Sequence, residues 1–176
     1  MLMKKKEESA MFQKVDPKSL KINPFSMLDD QWMLITAGTP ERCSTMTASW
    51  GALGVLWGVP MATCYVRPQR YTNQFMKEGE YFTLSFFDQK YRPQLNLCGT
   101  KSGRDIDKVK ECGFTVAAGA GNAPYFEEAD LVLVCRKRME MPMDPAAVPE
   151  DVKEKSYHDD FHDIYWGEIV EVLVRA

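Results

Sequence analysis

The sequence predicts a mainly β protein with short inserted helices and a closed or nearly closed sheet. Three stretches carry this prediction. Residues 45–50 alternate hydroxyl-bearing side chains with apolar ones, and residues 81–87 again place apolar side chains at every second position. This period of two is that of a strand. Residues 131–134 form a continuous apolar run, which we extend to a strand over 129–139.

Length and composition suit a single domain. The chain has 176 residues, of which 45% are hydrophobic and 11% aromatic, enough for a sizeable core. We expect one domain over residues 1–176, with 1–20 as a peripheral N-terminal segment whose first 15 residues are frayed or form a surface helix. The net charge of −3 does not suit a nucleic-acid-binding protein, which usually shows a basic face.

Cysteine usage and the start of the chain indicate the compartment. The chain has five cysteines, an odd number, and no two of them are spaced as Cys-x-x-Cys. This pattern argues against a zinc ribbon and against a disulfide framework. The lysine-rich start has no apolar run behind it, so it does not predict a secretory signal. We therefore expect a reducing, cytoplasmic location.

The stretch between Arg42 and Arg67 contains no charged residue. Its length would allow a membrane span, which needs about 20 apolar residues. Three glycines and a proline interrupt its middle, however, and hydroxyls crowd its start. We predict two strands, 45–50 and 61–67, buried on both faces, with 51–60 as the turn between them.

The other elements follow from local signals. Thr72 is a good N-cap for a helix through Glu78, Pro93 suits the first turn of a helix that ends near Gly99, and Asp105 can cap a helix over 106–112. We also predict strands over 32–37, 81–87, 114–117, 129–139 and 163–174 and a helical turn over 150–157. The sum is six or seven strands.

A hydroxyl-lined pair of strands that runs into the basic turn 67–72 suits a ligand with a flat polar head and an anionic tail. Short side chains on a rigid strand let a flat ring approach, and arginines and the first turn of a helix bind phosphate. The candidates are Thr47, Ala48, Ser49 and Trp50 for the head and Arg67, Arg70, Tyr71 and Thr72 for the tail. From the residues alone, an ordinary buried strand and a solvated basic turn remain alternatives.

Two further features have open interpretations. Lys101, Ser102 and Arg104 lie in a glycine-containing loop that either closes over the ligand or is a mobile surface loop; its spacing is not that of a P-loop. His158 and His162 are four residues apart, but without a His-Glu-x-x-His pattern, and we predict no metal site. The cysteines are irregularly spaced and suit small buried hydrophobic residues better than a thiol relay.

Three segments together carry a family resemblance: Met46–Gly51, Tyr65–Thr72 and Phe82–Ser85. Segments 98–108 and 162–168 support it. With them the chain resembles the flavin reductase-like family of FMN-binding split barrels, which includes flavoredoxin. The resemblance implies a six-stranded split β-barrel, a homodimer and FMN near the dimer interface. The family has no strong nicotinamide-binding motif, and we match none in this chain.

The resemblance implies an FMN-binding oxidoreductase that transfers a hydride from NADH or NADPH to flavin. Reduced flavin would then pass electrons to free flavin, oxygen, an electron-acceptor protein or another small-molecule acceptor. Of the possible phosphate ligands, Arg70 is expected to be the main one, and His162 to lie on the donor side of the flavin. Two alternatives remain: a non-enzymatic FMN electron carrier or redox sensor, and a flavin-free barrel with a structural or binding role. The expected FMN-binding residues are Thr47, Ala48, Ser49, Trp50, Arg67, Arg70, Tyr71, Thr72, Ser85, Lys101 and Ser102.

Overall fold

The structure, a computed structural model, describes residues 11–176. These residues are mainly β, as predicted. The strands are β1 (Phe12–Lys14), β2 (Met33–Thr39), β3 (Arg42–Ala48), β4 (Gly51–Leu56), β5 (Val59–Val66), β6 (Tyr81–Phe86), β7 (Val116–Ala118), β8 (Pro124–Phe126), β9 (Leu131–Pro142) and β10 (Asp163–Arg175). The helices are α1 (Pro24–Ser26), continued by a π-helical turn Met27–Gln31, α2 (Tyr71–Glu78), α3 (Arg92–Thr100), α4 (Lys108–Cys112) and α5 (Glu150–Ser156). Short 3-10 turns lie at Pro17–Ser19, Gln89–Tyr91, Ala120–Asn122 and Pro145–Ala147.

Eight strands form one antiparallel sheet, in the order β3-β2-β6-β9-β10-β5-β4, with β1 paired to the far end of β10. The two strands at the ends of this order, β3 and β4, are consecutive in the chain. Only Ser49 and Trp50 separate them, a link that spans little more than about 10 Å. The sheet must therefore curve until its two edges meet at this point.

The core covers both faces of the sheet. Along β2, Met33 and Ile35 pack in one hydrophobic cluster, whereas Leu34 packs in the other. Along β9, Leu133 contributes to the first cluster and Val132 to the second. Because successive side chains of a strand point to opposite faces, the uninterrupted apolar run in β9 reflects burial on both faces.

Helix α2 is tied to β10 by a chain of polar side chains. The Tyr165 hydroxyl donates to Oδ1 of Asn73, and Nδ2 of Asn73 donates to the Asp163 carboxylate over 2.8 Å. Lys77, near the end of the helix, pairs with the same carboxylate at 3.0 Å. These bonds fix the start of α2, and therefore the position of Arg70, against the last strand.

Several local predictions are wrong. Residues 51–60 are not a simple turn: they form β4 and the start of β5, joined by a two-residue hairpin loop at Trp57 and Gly58. Both loop residues have positive φ, 53° and 77°, as a type I′ turn requires. The predicted central strands do not pair, and β4 is half exposed. The main sheet has eight strands because β4 and β1 add to the predicted set.

Two helix starts differ from the prediction. Arg70, not Thr72, is the N-cap of α2, and Thr72 lies inside its first turn. Asp107, not Asp105, caps α4, where its side chain accepts the Lys110 N–H. Residues 12–14 are a strand rather than a frayed end or surface helix; residues 1–10 lie outside the described part of the chain. Pro93 lies in the first turn of α3, as expected, and Gly113 ends α4 with a left-handed backbone.

Candidate functional site

A cavity of about 300 Å³ lies where β3 ends and β5 and β10 meet. The end of β3 and the link to β4 form one wall, and Tyr65 and Arg67 form another. His162 directly precedes β10, and since Asp163 pairs with Val66, His162 lies across from Arg67. The cavity therefore brings together seven residues that the sequence analysis selected: Thr47, Ala48, Ser49, Trp50, Arg67, Arg70 and His162.

His162 is a buried residue inside a group of aromatic rings. Its ring lies 5.3 Å from that of Trp50 and 6.3 Å from that of Tyr65, and Nδ1 shares a hydrogen bond of 3.0 Å with the Tyr157 hydroxyl. Burial, and then the charge of Arg67, lowers the pKa of His162 to about 4. The imidazole is therefore neutral near pH 7, and it is not exposed on the surface.

Arg67 is engaged away from the cavity. Its guanidinium forms an ion pair with Asp160, donates to the Ser156 carbonyl over 3.0 Å and lies over the Tyr157 ring. These contacts hold the segment between α5 and β10 against the end of β5. Arg67 therefore borders the cavity mainly as an anchor for the segment that carries His162.

Arg70 also lines the cavity, and it has no carboxylate partner among the described residues. Its two terminal nitrogens donate to the carbonyls of Gly99 and Cys98, over 3.1 and 3.2 Å, at the end of α3. A cation is stabilised there because the carbonyl end of a helix is partly negative. Burial lowers the pKa of Arg70, but a guanidinium remains charged at any ordinary pH.

A second cavity of about 140 Å³ continues beyond Arg70. Tyr71, Thr72, Lys101 and Ser102 of the expected FMN-binding residues line it, so the loop after α3 borders this end of the site, whereas Arg104 of the same loop lines a neighbouring cleft. Thr72 is fully buried, and its hydroxyl is 2.9 Å from that of Ser44. The residues that line this cavity are Gln69, Arg70, Tyr71, Thr72, Gly99, Thr100, Lys101, Ser102, Gly103 and Lys108.

Lys108 is a residue that the sequence analysis missed. It is 6% exposed, and its ammonium donates to the carbonyls of Thr45 and Cys98 over 2.9 and 2.8 Å. Burial lowers its pKa to about 8. Nothing in the local pattern Asp-Ile-Asp-Lys signals burial, because a lysine in such a run is usually solvated.

Ser85 is the one expected FMN-binding residue that lies outside both cavities. It sits in β6 between Leu34 of β2 and Val132 of β9, and it is fully buried. Within residues 11–176 its hydroxyl has no hydrogen-bond partner. The structure therefore gives Ser85 a position in the sheet interior rather than a place beside the other candidates.

A wider cleft of about 760 Å³ adjoins the first cavity and shares Ser49, Trp50 and Tyr65 with it. Its other side carries the aromatic rings of Phe25 and Tyr157. A flat molecule in this cleft would therefore lie against one in the first cavity. The two cavities and the cleft form one row, which is basic at one end and is lined at the other by aromatic residues together with Asp29 and Asp30.

The thiols do not form a redox site on this row. All five cysteines are free, and burial raises the pKa of Cys43 to about 11 and of Cys64 and Cys98 to about 12. Thiols of this kind are poor nucleophiles near pH 7. Within residues 11–176 we find no group of three His, Cys, Asp or Glu side chains suited to a metal ion. No helix in that range is long and apolar enough to span a membrane.

Comparisons with known proteins give the family. The family described as "Flavin reductase like domain" matches residues 27–176. A search of curated proteins found no match. Among solved structures, flavoredoxin from Methanosarcina acetivorans is similar over 88% of this chain and 74% of its own, with a TM-score of 0.65 and 22% identity.

Two further structures have the same fold. An FMN-binding domain of a flavin reductases-like enzyme from Shewanella baltica is similar over 93% of this chain and 77% of its own, with a TM-score of 0.67 and 17% identity. An NADH:FAD oxidoreductase from Streptomyces globisporus, solved with NAD and FAD fragments, is similar over 83% and 74%, with a TM-score of 0.61 and 17% identity. At these identities the likeness shows the fold, and it confirms the predicted split β-barrel.

Proposed function

Because the chain belongs to the flavin reductase-like domain family, we propose that it is an FMN-binding oxidoreductase that transfers a hydride from NADH or NADPH to the flavin. The observation that carries the proposal is the row of cavities. A hydroxyl-lined wall, Thr47–Trp50, leads at one end to a cavity lined by the half-buried Arg70 and the buried Lys108 and at the other to a cleft with aromatic side chains. FMN has a flat polar ring system and an anionic phosphate. The hydroxyl-lined wall suits the ring system, and the basic cavity beside it suits the phosphate.

The residues present fit FMN. Strand β3 and its link to β4 offer backbone groups and the Ser49 hydroxyl to the polar edge of a ring, whereas the Thr47 hydroxyl already donates to the Leu95 carbonyl. Arg70 is fixed at the basic end by α2 and α3. The FMN-binding set we propose is Thr47, Ala48, Ser49, Trp50, Arg70, Tyr71, Thr72, Lys101 and Ser102, with Arg67 as its anchor; Ser85 is left out of it.

When bound, FMN supplies the hydride chemistry itself. The protein's part is to hold the ring against Trp50, to exclude water with the rings around His162, and to place hydrogen-bond donors where charge develops on reduction. No nucleophile or general base is needed. The adjoining cleft is then the place for the nicotinamide, with neutral His162 at its border.

We further propose that residues 1–176 form one domain with residues 1–20 at its periphery, that two copies form a homodimer, and that the protein works in the cytoplasm. The edge strand β4 and its hairpin support the homodimer, because Val55 and Trp57 are 72% and 61% exposed. Apolar side chains exposed together mark protein interfaces. The final acceptor would be free flavin, oxygen, an acceptor protein or another small molecule.

The test is to purify the protein, record its absorbance spectrum and add NADH or NADPH without oxygen. Rapid bleaching of the flavin band at about 450 nm supports the reductase. Bleaching by dithionite alone would mean an FMN electron carrier or redox sensor. A colourless protein that stays colourless after FMN is added would overturn the proposal and favour a flavin-free barrel.

A further inference from the structure

Two cysteines lie in contact next to the basic cavity, although neither of them lines the row of cavities. Sγ of Cys98, in α3, is 3.7 Å from Sγ of Cys112, the last residue of α4. Within residues 11–176 this is the one pair of cysteines that shares a hydrogen bond. Because the sulfurs of a disulfide are about 2.05 Å apart, these two would have to approach each other by less than about 2 Å.

The two thiols differ in exposure and in hydrogen bonding. Cys112 is 9% exposed, whereas Cys98 is completely buried. Burial raises the pKa of both thiols, but the bond between them raises the pKa of Cys98 and lowers that of Cys112, as it does when the Cys98 S–H donates to the Cys112 sulfur. The charge of Lys108 lowers both pKa values. Cys112 is therefore the thiol that an oxidant reaches first, and Cys98 is placed to react next.

The two cysteines enclose the loop that borders the basic cavity. Apart from residues 69–72, every residue that lines the cavity of about 140 Å³ lies between Cys98 and Cys112 in the chain. The backbone hydrogen bonds of residues 101–107 go to groups at most four positions away. Within the described part of the chain, the backbone of this loop is therefore not fixed to the sheet.

Two side chains of the loop bond to more distant segments. Arg104 donates to the Gln69 carbonyl over 3.1 Å, and Lys108 donates to the Thr45 carbonyl over 2.9 Å. The bond of Arg104 is exposed, and water replaces an exposed bond at little cost. Opening of the loop would uncover the basic cavity, and such opening steps often limit the release of a ligand.

We propose that Cys98 and Cys112 are a modification site: hydrogen peroxide oxidises them to a disulfide, which closes residues 98–112 into a covalent loop and slows release of the flavin. The disulfide stands apart from the proposed function, whereas its effect on flavin release rests on that function. A cross-link removes conformations in which the two ends of a segment are far apart, and these include the open loop. Disulfides of cytoplasmic proteins are usually transient and redox-sensing, which agrees with the proposed location.

One molecule of peroxide balances the oxidation. The Cys112 thiolate attacks a peroxide oxygen, so that an S–O bond forms and the O–O bond breaks, and the leaving hydroxide takes up the Cys112 proton as water. The Cys98 sulfur then attacks the sulfur of this sulfenic acid. The S–S bond forms, the S–O bond breaks, and the second water leaves with the Cys98 proton. The thiols lose two electrons and the peroxide gains them.

The proposed function can supply this oxidant. Oxygen is one of the proposed acceptors of the reduced flavin, and its reduction by two electrons gives hydrogen peroxide. Because both thiols are mostly protonated near pH 7, they react slowly. The pair would therefore respond to sustained peroxide rather than to each turnover, and retention of the flavin would then limit further loss of electrons to oxygen.

The first measurement detects the disulfide. Reduced full-length protein is treated with hydrogen peroxide, its remaining thiols are alkylated in denaturant, and its tryptic peptides are analysed by mass spectrometry. We expect a pair of peptides linked through Cys98 and Cys112 that is lost after dithiothreitol. Cys112→Ser should give no such pair, whereas Cys43→Ser, the matched control on β3, should give it as the wild type does. Oxidation of Cys112 to a sulfinic or sulfonic acid without a linked pair would overturn the proposal.

The second measurement follows release of the flavin. Protein loaded with FMN is diluted, and the rise of flavin fluorescence gives the dissociation rate. Oxidation should slow release by about tenfold or more in the wild type and in Cys43→Ser, with full reversal by dithiothreitol. A linked pair with an unchanged dissociation rate would refute the effect on the site. Because the oxidised wild type is compared with itself after dithiothreitol, this result does not depend on the folding of Cys112→Ser.

A third measurement separates the covalent loop from the proposed function. Trypsin cuts after Lys101 and Arg104 when the loop opens, so the disulfide should slow these cuts by about tenfold in protein without flavin. The cut after Lys21, in an exposed segment, should keep its rate. If the reduced wild type binds no flavin, the proposed function fails, whereas slower cleavage of the loop still supports the disulfide and its effect on loop opening. Equal cleavage before and after formation of the disulfide would contradict that effect.

Discussion

The hydroxyl of Tyr157 lies 3.0 Å from Nδ1 of His162, and the two rings stand nearly perpendicular with centroids 5.5 Å apart. Tyr157 follows α5, and it also stacks with Phe161. The short segment between α5 and β10 therefore holds the orientation of the one buried histidine at the border of the cavity and the cleft. This arrangement leaves Nε2 as the atom that is free to face a ligand.

Replacing His162 should affect reduction by the nicotinamide donor rather than binding of the flavin. His162→Ala is expected to slow reduction by nicotinamide by about tenfold or more, because a misplaced donor loses reactive geometry, while FMN affinity changes by a few-fold at most. Stopped-flow reduction and a binding titration measure the two effects separately. His158→Ala, on the exposed side of the same segment, is the control. Loss of FMN with normal reduction of the bound fraction would make His162 a binding or structural residue instead.

Replacing Arg70 should weaken phosphate binding. Arg70→Ala removes a half-buried charge-assisted partner, and loss of such a partner in the bound complex typically costs roughly 2–5 kcal/mol, or about 30-fold to several thousandfold in FMN affinity. Riboflavin should be weakened far less. Arg138→Ala, on the exposed part of β9, controls for loss of an arginine as such. Equal losses for FMN and riboflavin would mean that Arg70 supports α2 and the end of α3 rather than the phosphate.

The exposed hairpin of β4 should lie in the homodimer interface. We expect light scattering to give twice the chain mass of 20.1 kDa, since an obligate interface buries about 2,000 Å² or more. Trp57→Asn keeps a residue that tolerates the positive φ at this position and removes the ring. It should shift the protein toward the monomer, whereas Val152→Lys on α5 should not. A wild-type monomer at micromolar concentration contradicts the interface altogether.

Gly167 should be hard to replace because two strands approach closely at this point. A Cβ there would lie 2.6 Å from Cζ of Phe82 and 2.7 Å from Cβ of Cys135. Gly167→Ala is expected to cost about 1–3 kcal/mol of unfolding free energy, as overpacking does. At Gly54 an added Cβ would meet nothing within 4 Å, so Gly54→Ala is the matched control. Similar urea midpoints for the two variants would show that the strands can separate to accept a methyl group.

The strands with a clear local period could be predicted from the sequence, but the strands that they pair with could not. The alternation in 81–87 and the apolar run in 131–134 identify β6 and β9 directly, because burial of one or both faces acts on neighbouring residues. The hairpin at Trp57 was missed because tryptophan rarely adopts positive φ, so the loop carried only Gly58 as a signal. Nothing local distinguishes an edge strand such as β4 from a central one.

The candidate site was predictable where its residues are close in sequence. The stretch 47–50 and Arg70 came from adjacent segments and line one cavity, as expected. The partner of Arg67 is Asp160, 93 residues away, and Lys108 is buried by β3 and α3, so only the folded chain brings these groups together. The local sequence does not show which distant carboxylate neutralises which cation.

The two-residue link formed by Ser49 and Trp50 has two structural roles. It joins the two edges of the curved sheet, and it forms a wall of the cavity. A molecule seated against this wall therefore contributes part of its binding free energy to holding the edges together, and fraying of β3 or β4 would release it. Ligand affinity and resistance of the sheet to opening are therefore thermodynamically linked, and a change in the length of the link would alter both.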